Sequence, residues 1–222
     1  MTEQMLVRQW DLIPQSILKS RIGIIGAGAV GSFTALTLAK MGFSDIEVFD
    51  FDQVSEENIN CQFYRPQDIG FRKVDSLKEI VRDFSGAIIK SVPERFEAGR
   101  LGYDAVVMAV DSMASRRAIF DAIVADENKF CTPKIVIDPR MASHHILIHS
   151  FKPILGWEAE RYKATLFTDA EAHPERCTAK ATMFSATVIS GYVSKFVSEA
   201  LNFQDIPNRT EICLKTNAMT ID

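Results

Sequence analysis

The stretch from Arg21 to Asp52, RIGIIGAGAVGSFTALTLAKMGFSDIEVFDFD, decides the fold. It divides into strand, glycine turn, helix and strand. Arg21 to Ile25 is a short isoleucine-rich run, as a parallel strand buried on both faces requires. Gly26, Gly28 and Gly31 then form G-x-G-x-x-G. The first glycine allows a tight turn, the second lets backbone N–H groups approach a phosphate, and the third lets the helix pack close to the strand. The spacing predicts a helix from about Ala29 to Met41, its N-terminus favouring negative charge, and Gly42 ends it. Asp45 to Phe49 is the next strand, with Asp50 at its carboxyl end, where a carboxylate can accept the hydroxyl protons of a ribose. A turn that was only structural would have no use for that acid. The stretch therefore predicts a phosphate-and-ribose site.

Outward from this unit, further elements follow. Val74, Leu77, Ile80, Val81 and Phe84 recur at helical spacing, which predicts a helix over Lys73 to Asp83. The long polar loop before it carries Asp52, Asn58, Gln62, Arg65 and Asp68, at the carboxyl end of a strand where open α/β sheets bind ligands. A lysine in the first turn opposes the helix dipole, so Lys73 points to a role other than stability. Gly86 to Pro93 and Asp104 to Val110 are the third and fourth strands. Asp111 follows the fourth directly and suits a metal ion bridging phosphates. It also suits an N-cap for the helix from Met113 to Val124, a task that Ser112 can take instead.

Lys134 to Asp138 is a fifth strand, and His144 to Phe151 alternates as an antiparallel strand does. Its histidines read as structural: His145 and His149 share a face but lie far apart for one ion. Pro153 to Thr168 is poorly patterned, and Asp169 to Lys180 reads as an exposed crossing segment. Ala181 to Leu201 is an apolar helix whose serines mark it as core, and Thr210 to Ile221 reads as one closing strand. At the start, Val7, Trp10, Leu12, Ile13, Ile17 and Leu18 line one helical face interrupted by Pro14. The expected architecture is α/β: a Rossmann-like, doubly wound, mostly parallel sheet with antiparallel C-terminal strands. It forms a single domain over residues 1–222, of which 1–20 are an N-terminal arm.

Composition narrows the function classes. Hydrophobic residues make up 47% of the chain, ordinary for a globular protein with a well-buried core. A net charge of −4 and the lack of any Lys/Arg block argue against nucleic acid. Met1 to Gln9 has no apolar core of a signal peptide, and no helix reads as a membrane span. The cysteines, Cys61, Cys131, Cys177 and Cys213, form no C-x-x-C pair, so no zinc is expected, and free thiols fit a reducing cytoplasm.

Several segments together resemble the ThiF/MoeB/E1-like superfamily, enzymes that adenylate the C-terminus of ubiquitin-like or sulfur-carrier proteins. They are VRQW near the start, GAGAVGS, VFDFDQVSEENINCQ, DIGFRK, the acid after DAVVMAV, RCTAKATMFSATVISG and the closing NAMT. The run D-x-D-x-V-x-x-x-N-x-x-x-Q followed by DIGFRK is far more specific than the glycine loop. The resemblance implies ATP and Mg²⁺ as cofactors. Asp50 would hold the ribose, with Gly26, Gly28 and Gly31 framing the nucleotide loop. Asp52, Asn58 and Gln62 would line the phosphate region, Lys73 would steady the phosphates, and Asp111 would bind Mg²⁺. Arg8 matches an arginine that reaches across a homodimer into the neighbour's site. The implied acceptor is a ubiquitin-like or sulfur-carrier protein with a C-terminal Gly-Gly, or a peptide. A modified tRNA base is a further acceptor among relatives, and the acidic balance speaks against it.

The chain departs from the pattern in three ways. Where relatives carry an arginine that contacts the triphosphate, this chain has Cys61; Arg65, a helical turn on, is the candidate replacement. The zinc-holding cysteine pairs are missing, and no ubiquitin-fold or rhodanese extension is expected. Cys177 stands where sulfur-transferring or thioester-forming relatives place a reactive cysteine, with Arg176 and Lys180 near enough to favour its thiolate. Two alternatives share parts of the pattern. An NAD-dependent oxidoreductase would use the glycine loop and Asp50 but leave Arg8, Asn58 and Lys73 without a role. A non-catalytic scaffold, the inactive half of a heterodimer, would account for Cys61.

Overall fold

A computed structural model of the chain describes residues 2–97, 102–125, 131–167 and 181–222. In chain order its elements are α1 (Glu3–Leu6), β1 (Arg21–Ile25), α2 (Ala29–Lys40), β2 (Asp45–Phe49), α3 (Lys73–Ser85), β3 (Lys90–Val92) and β4 (Ala105–Met108). There follow α4 (Met113–Val124), β5 (Ile135–Ala142), β6 (His145–Phe151), α5 (Gly156–Lys163), α6 (Met183–Leu201), β7 (Arg209–Cys213) and β8 (Ala218–Ile221). All the strands join one sheet in the order β3-β2-β1-β4-β5-β6-β7-β8. From β3 to β5 the neighbours are parallel, and from β5 to β8 they are antiparallel. This is the doubly wound order, with the antiparallel tail expected from the sequence.

The sheet is buried on both faces at its centre, where all four residues of β4 are inaccessible. Side chains alternate between two apolar layers. Ile24, Val107 and Ile137 pack with α2, α3 and α6 through Leu38, Ile80 and Val193. Ile25, Val106 and Met108 pack with α4 and α5 through Ile119, Phe120 and Tyr162. Because successive strand residues serve opposite layers, these strands are apolar throughout, and this is why they were legible as continuous runs.

Three local expectations need correction. The closing segment is a hairpin, β7 and β8, and not one strand; Asn217 adopts a left-handed conformation (φ 57°), which lets the chain reverse. Pro153 to Thr168 contains the helix α5. Its buried residues are only Glu158, Ala159 and Tyr162, too narrow a stripe to leave an apolar period. Glu158 is buried because its carboxylate accepts the Lys152 N–H at 2.6 Å. The arm, lastly, buries Leu6, Ile17 and Leu18, while Val7 and Leu12 are exposed. Pro14 divides it into short turns, so no single helical face forms.

Candidate nucleotide site

In this sheet order β1 lies between β2 and β4, and the connections leave it in opposite directions. The crevice beyond the carboxyl ends of these strands is the switch point where open α/β sheets bind ligands. The glycine turn fills its floor. Gly26 has φ 101°, and a Cβ there would lie 2.3 Å from the Ala109 carbonyl oxygen. A Cβ on Gly31 would lie 1.9 Å from the Gly26 carbonyl oxygen and 3.3 Å from the Ala109 Cβ. Both positions therefore exclude any other residue. A Cβ on Gly28 would meet nothing within 4 Å, which leaves an open cradle at the N-cap of α2.

Asp50, one residue beyond β2, is half-buried beside this loop. Its Oδ2 accepts the Ala27 N–H at 2.7 Å, and its Oδ1 accepts the Asp52 N–H at 2.8 Å. Each oxygen keeps a further lone pair, so the carboxylate is oriented without being saturated. Asp111 follows β4, on the other flank of β1. It is exposed and makes no hydrogen bond with the described residues. The N-cap of α4 belongs to Ser112, whose hydroxyl accepts the Ser115 N–H at 3.1 Å. Two strand spacings separate the ends of β2 and β4, roughly 10 Å, a span suited to an extended phosphate chain.

Lys73 opens α3 with 7% of its surface exposed, and its Nζ donates to Asp52 Oδ2 at 2.9 Å. The backbone repeats the pairing, Lys73 N–H donating to the Asp52 carbonyl at 3.0 Å. Gln62 holds its side-chain oxygen buried without a partner among the described residues. Such a group calls for a ligand or an ordered water. These donors and carboxylates fit a magnesium-complexed nucleotide. No group of three or more His, Cys, Asp or Glu side chains forms a metal cage among the described residues, but magnesium on phosphates needs only one or two carboxylates from the protein.

Other expected residues are held in different ways. Asn58 Oδ1 accepts the Ser55 N–H at 3.0 Å, closing the turn at 56–58, so its side chain builds the loop. Arg65 grips the buried Asp68 at 2.9 and 3.0 Å and reaches Asp83 at 3.4 Å. Cys61 is half-buried; burial pushes its thiol up, and the Lys73 ammonium partly offsets this. Arg8 is exposed at the other end of α2, where Gln9 donates to the Met41 carbonyl and Leu6 abuts Gly42. The twelve residues of α2, roughly 18 Å of helix, part Arg8 from its own chain's glycine loop. Cys177, Arg176 and Lys180 lie outside the described residues.

Sequence reasoning passed over Tyr64, whose hydroxyl donates to the Ala27 carbonyl at 2.6 Å. It also passed over Asp138, which is fully buried. Arg116 donates to its Oδ1 at 2.8 Å, and Arg140 and Tyr162 donate to its Oδ2 at 2.7 and 2.9 Å. Burial would raise Asp138, but the two guanidinium groups outweigh it and hold the carboxyl below its ordinary range. No local motif announces either residue: Tyr64 meets Ala27 across 37 positions, and Asp138 meets Arg116 and Tyr162 across 22 and 24. Nearby, His149 is buried edge-on against Tyr162. His144 stacks on Phe184.

Comparison with known proteins bears on the family and the fold. The ubiquitin-like modifier-activating enzyme 5 of Bombyx mori is 36% identical over 62 residues, 28% of this chain and 16% of that protein. The one from Culex quinquefasciatus is 27% identical over 132 residues, 51% of this chain and 32% of that protein. The chain thus matches a third or less of the length of these relatives. Among solved structures, E. coli MccB with ATP superposes with a TM-score of 0.71 at 13% identity, covering 94% of this chain and 65% of that one. At that identity the likeness concerns the fold. The model of the ThiF family matches residues 3–219, nearly the whole sequence, and the chain belongs to that family.

Proposed function

We propose that the chain is an ATP- and Mg²⁺-dependent adenylyltransferase that activates the C-terminal carboxylate of a ubiquitin-like or sulfur-carrier protein, or of a peptide, in the cytoplasm. The observation that carries this reading is the glycine loop wedged between β2 and β4, with the Gly28 cradle open and Asp50 and Asp111 on its two flanks. Relatives named ubiquitin-like modifier-activating enzymes, and a similarly folded protein solved with ATP, support it.

In the reaction, a carboxylate oxygen of the acceptor bonds to the α-phosphorus of ATP as the bond to the β-phosphate oxygen breaks, and pyrophosphate leaves. The nucleophile is already ionised at neutral pH, so no general base is needed. The chemical demand is to offset the charge that grows on the phosphoryl oxygens and the leaving group. Lys73 meets part of it from the first turn of α3, steadied by Asp52. Asp111 is the residue that would hold Mg²⁺, which neutralises phosphate charge when bound. Asp50 would hold the ribose, Gln62 would offer its unpaired oxygen, and Asn58 would act through the loop that it closes. Arg8 would serve the neighbouring copy of a homodimer. Arg65 would have to leave Asp68 and Asp83 to take the place of the arginine lost at Cys61. Cys177 would take part in a later transfer.

The test is ATP–pyrophosphate exchange with small proteins and peptides ending in Gly-Gly. Acceptor-dependent exchange is the expected result. A second reading, the non-catalytic half of a heterodimer, is favoured by Cys61 together with the engagement of Arg65. Exchange that is absent for the chain alone, and absent with every such acceptor, would favour that reading.

A further inference from the structure

We propose that the Tyr64 hydroxyl is a positioning group that fixes the direction of the Gly28 amide, and through it the nucleotide loop; the functional part of this inference rests on the nucleotide reading above. Tyr64 is 6% exposed, and its hydroxyl donates to the Ala27 carbonyl at 2.6 Å. Ala27 is itself fully buried, so this carbonyl has no access to water. On its other side, the Ala27 N–H is held by Asp50. Both polar groups of one residue are thus held by side chains from outside the turn.

The geometry of the peptide unit does the rest. The Ala27–Gly28 peptide is planar and trans, so its N–H points opposite to its carbonyl. A carbonyl drawn to Tyr64 aims the Gly28 N–H away from Tyr64. No described residue accepts a hydrogen bond from that N–H, and the space that a Gly28 Cβ would enter is empty. Turning this peptide over rotates only the bonds on either side of it, and Gly28, with no Cβ and open space around it, resists little on its side. Without the hydroxyl, the peptide is free to turn over. The donor is also secure, because burial first, then the carboxylates of Asp50, Asp68 and Asp52, push the phenol well above its ordinary range.

Tyr64→Phe keeps the ring and removes only the hydroxyl. Backbone ¹⁵N relaxation of the nucleotide-free protein would read the loop directly, whatever the protein's activity. Among the backbone order parameters, that of the Gly28 amide should fall from about 0.85, typical of rigid backbone, to below about 0.6, while that of Ala27, whose N–H Asp50 holds, should change little. Those in β4 should stay as they are. In an active enzyme the KM for ATP should rise about tenfold, as loss of one buried hydrogen bond implies, with kcat within about twofold. An unchanged order parameter at Gly28 would overturn the proposal, and so would an unchanged KM for ATP. If the wild type neither binds nor turns over ATP, the nucleotide reading fails, while the relaxation result still decides whether Tyr64 holds the loop.

Discussion

The crevice above β1, β2 and β4 and the buried face between β5, α4 and α5 both gather carboxylates with cationic partners. In the crevice, Asp50 is oriented by two backbone N–H groups, Asp111 makes no hydrogen bond with described residues, and Asp52 is half exposed while it holds Lys73. On the buried face, Asp138 is inaccessible and accepts from Arg116, Arg140 and Tyr162 at once. The same side-chain chemistry serves the proposed site in one place and architecture in the other. The difference lies in spare hydrogen-bonding capacity and access to water, not in the residue type.

The comparison can be broken most severely at Asp138. Asp138→Asn removes the charge that two buried guanidinium groups require, and should cost about 3–5 kcal/mol of stability in urea unfolding. A loss below about 1 kcal/mol would mean that the cluster is not architectural. Next comes Lys73→Met. Pyrophosphate exchange should slow by about 100-fold or more, while the unfolding midpoint stays near that of wild type, because its partner Asp52 is half exposed. A large loss of stability would move Lys73 into the architectural class.

His149 gives a smaller effect that depends on pH. Burial first, then Arg140, lowers it to about 4 from an ordinary 6.5. Between those values the unfolded chain binds a proton that the folded chain refuses, so stability falls as the pH drops from about 6.5 to 4. The loss between pH 7 and pH 5 should be about 2 kcal/mol, and His149→Gln should abolish that part of the pH dependence in paired urea titrations. Smallest is Ser112→Ala, expected to cost about 1 kcal/mol through loss of the α4 N-cap. A cost near zero in thermal unfolding would show Asp111 taking over the cap, and therefore not free for a ligand.

The sequence by itself determined the doubly wound core and the sites of Gly26, Gly28, Gly31 and Asp50, because these follow from local rules. Two-sided burial writes apolar runs, and a turn that admits no Cβ writes glycine at fixed spacing. The tertiary structure decided what local rules cannot carry. Helix α5 is held by a narrow buried stripe, and β7 and β8 are divided by one left-handed asparagine. Arg65 turned out to be engaged by Asp68 and Asp83, Asn58 to close its own loop, and Tyr64 to hold Ala27. Whether a polar side chain has capacity left for a ligand depends on the groups that meet it in space, and residues 18 or 37 positions apart leave no trace of their meeting in the order of the chain.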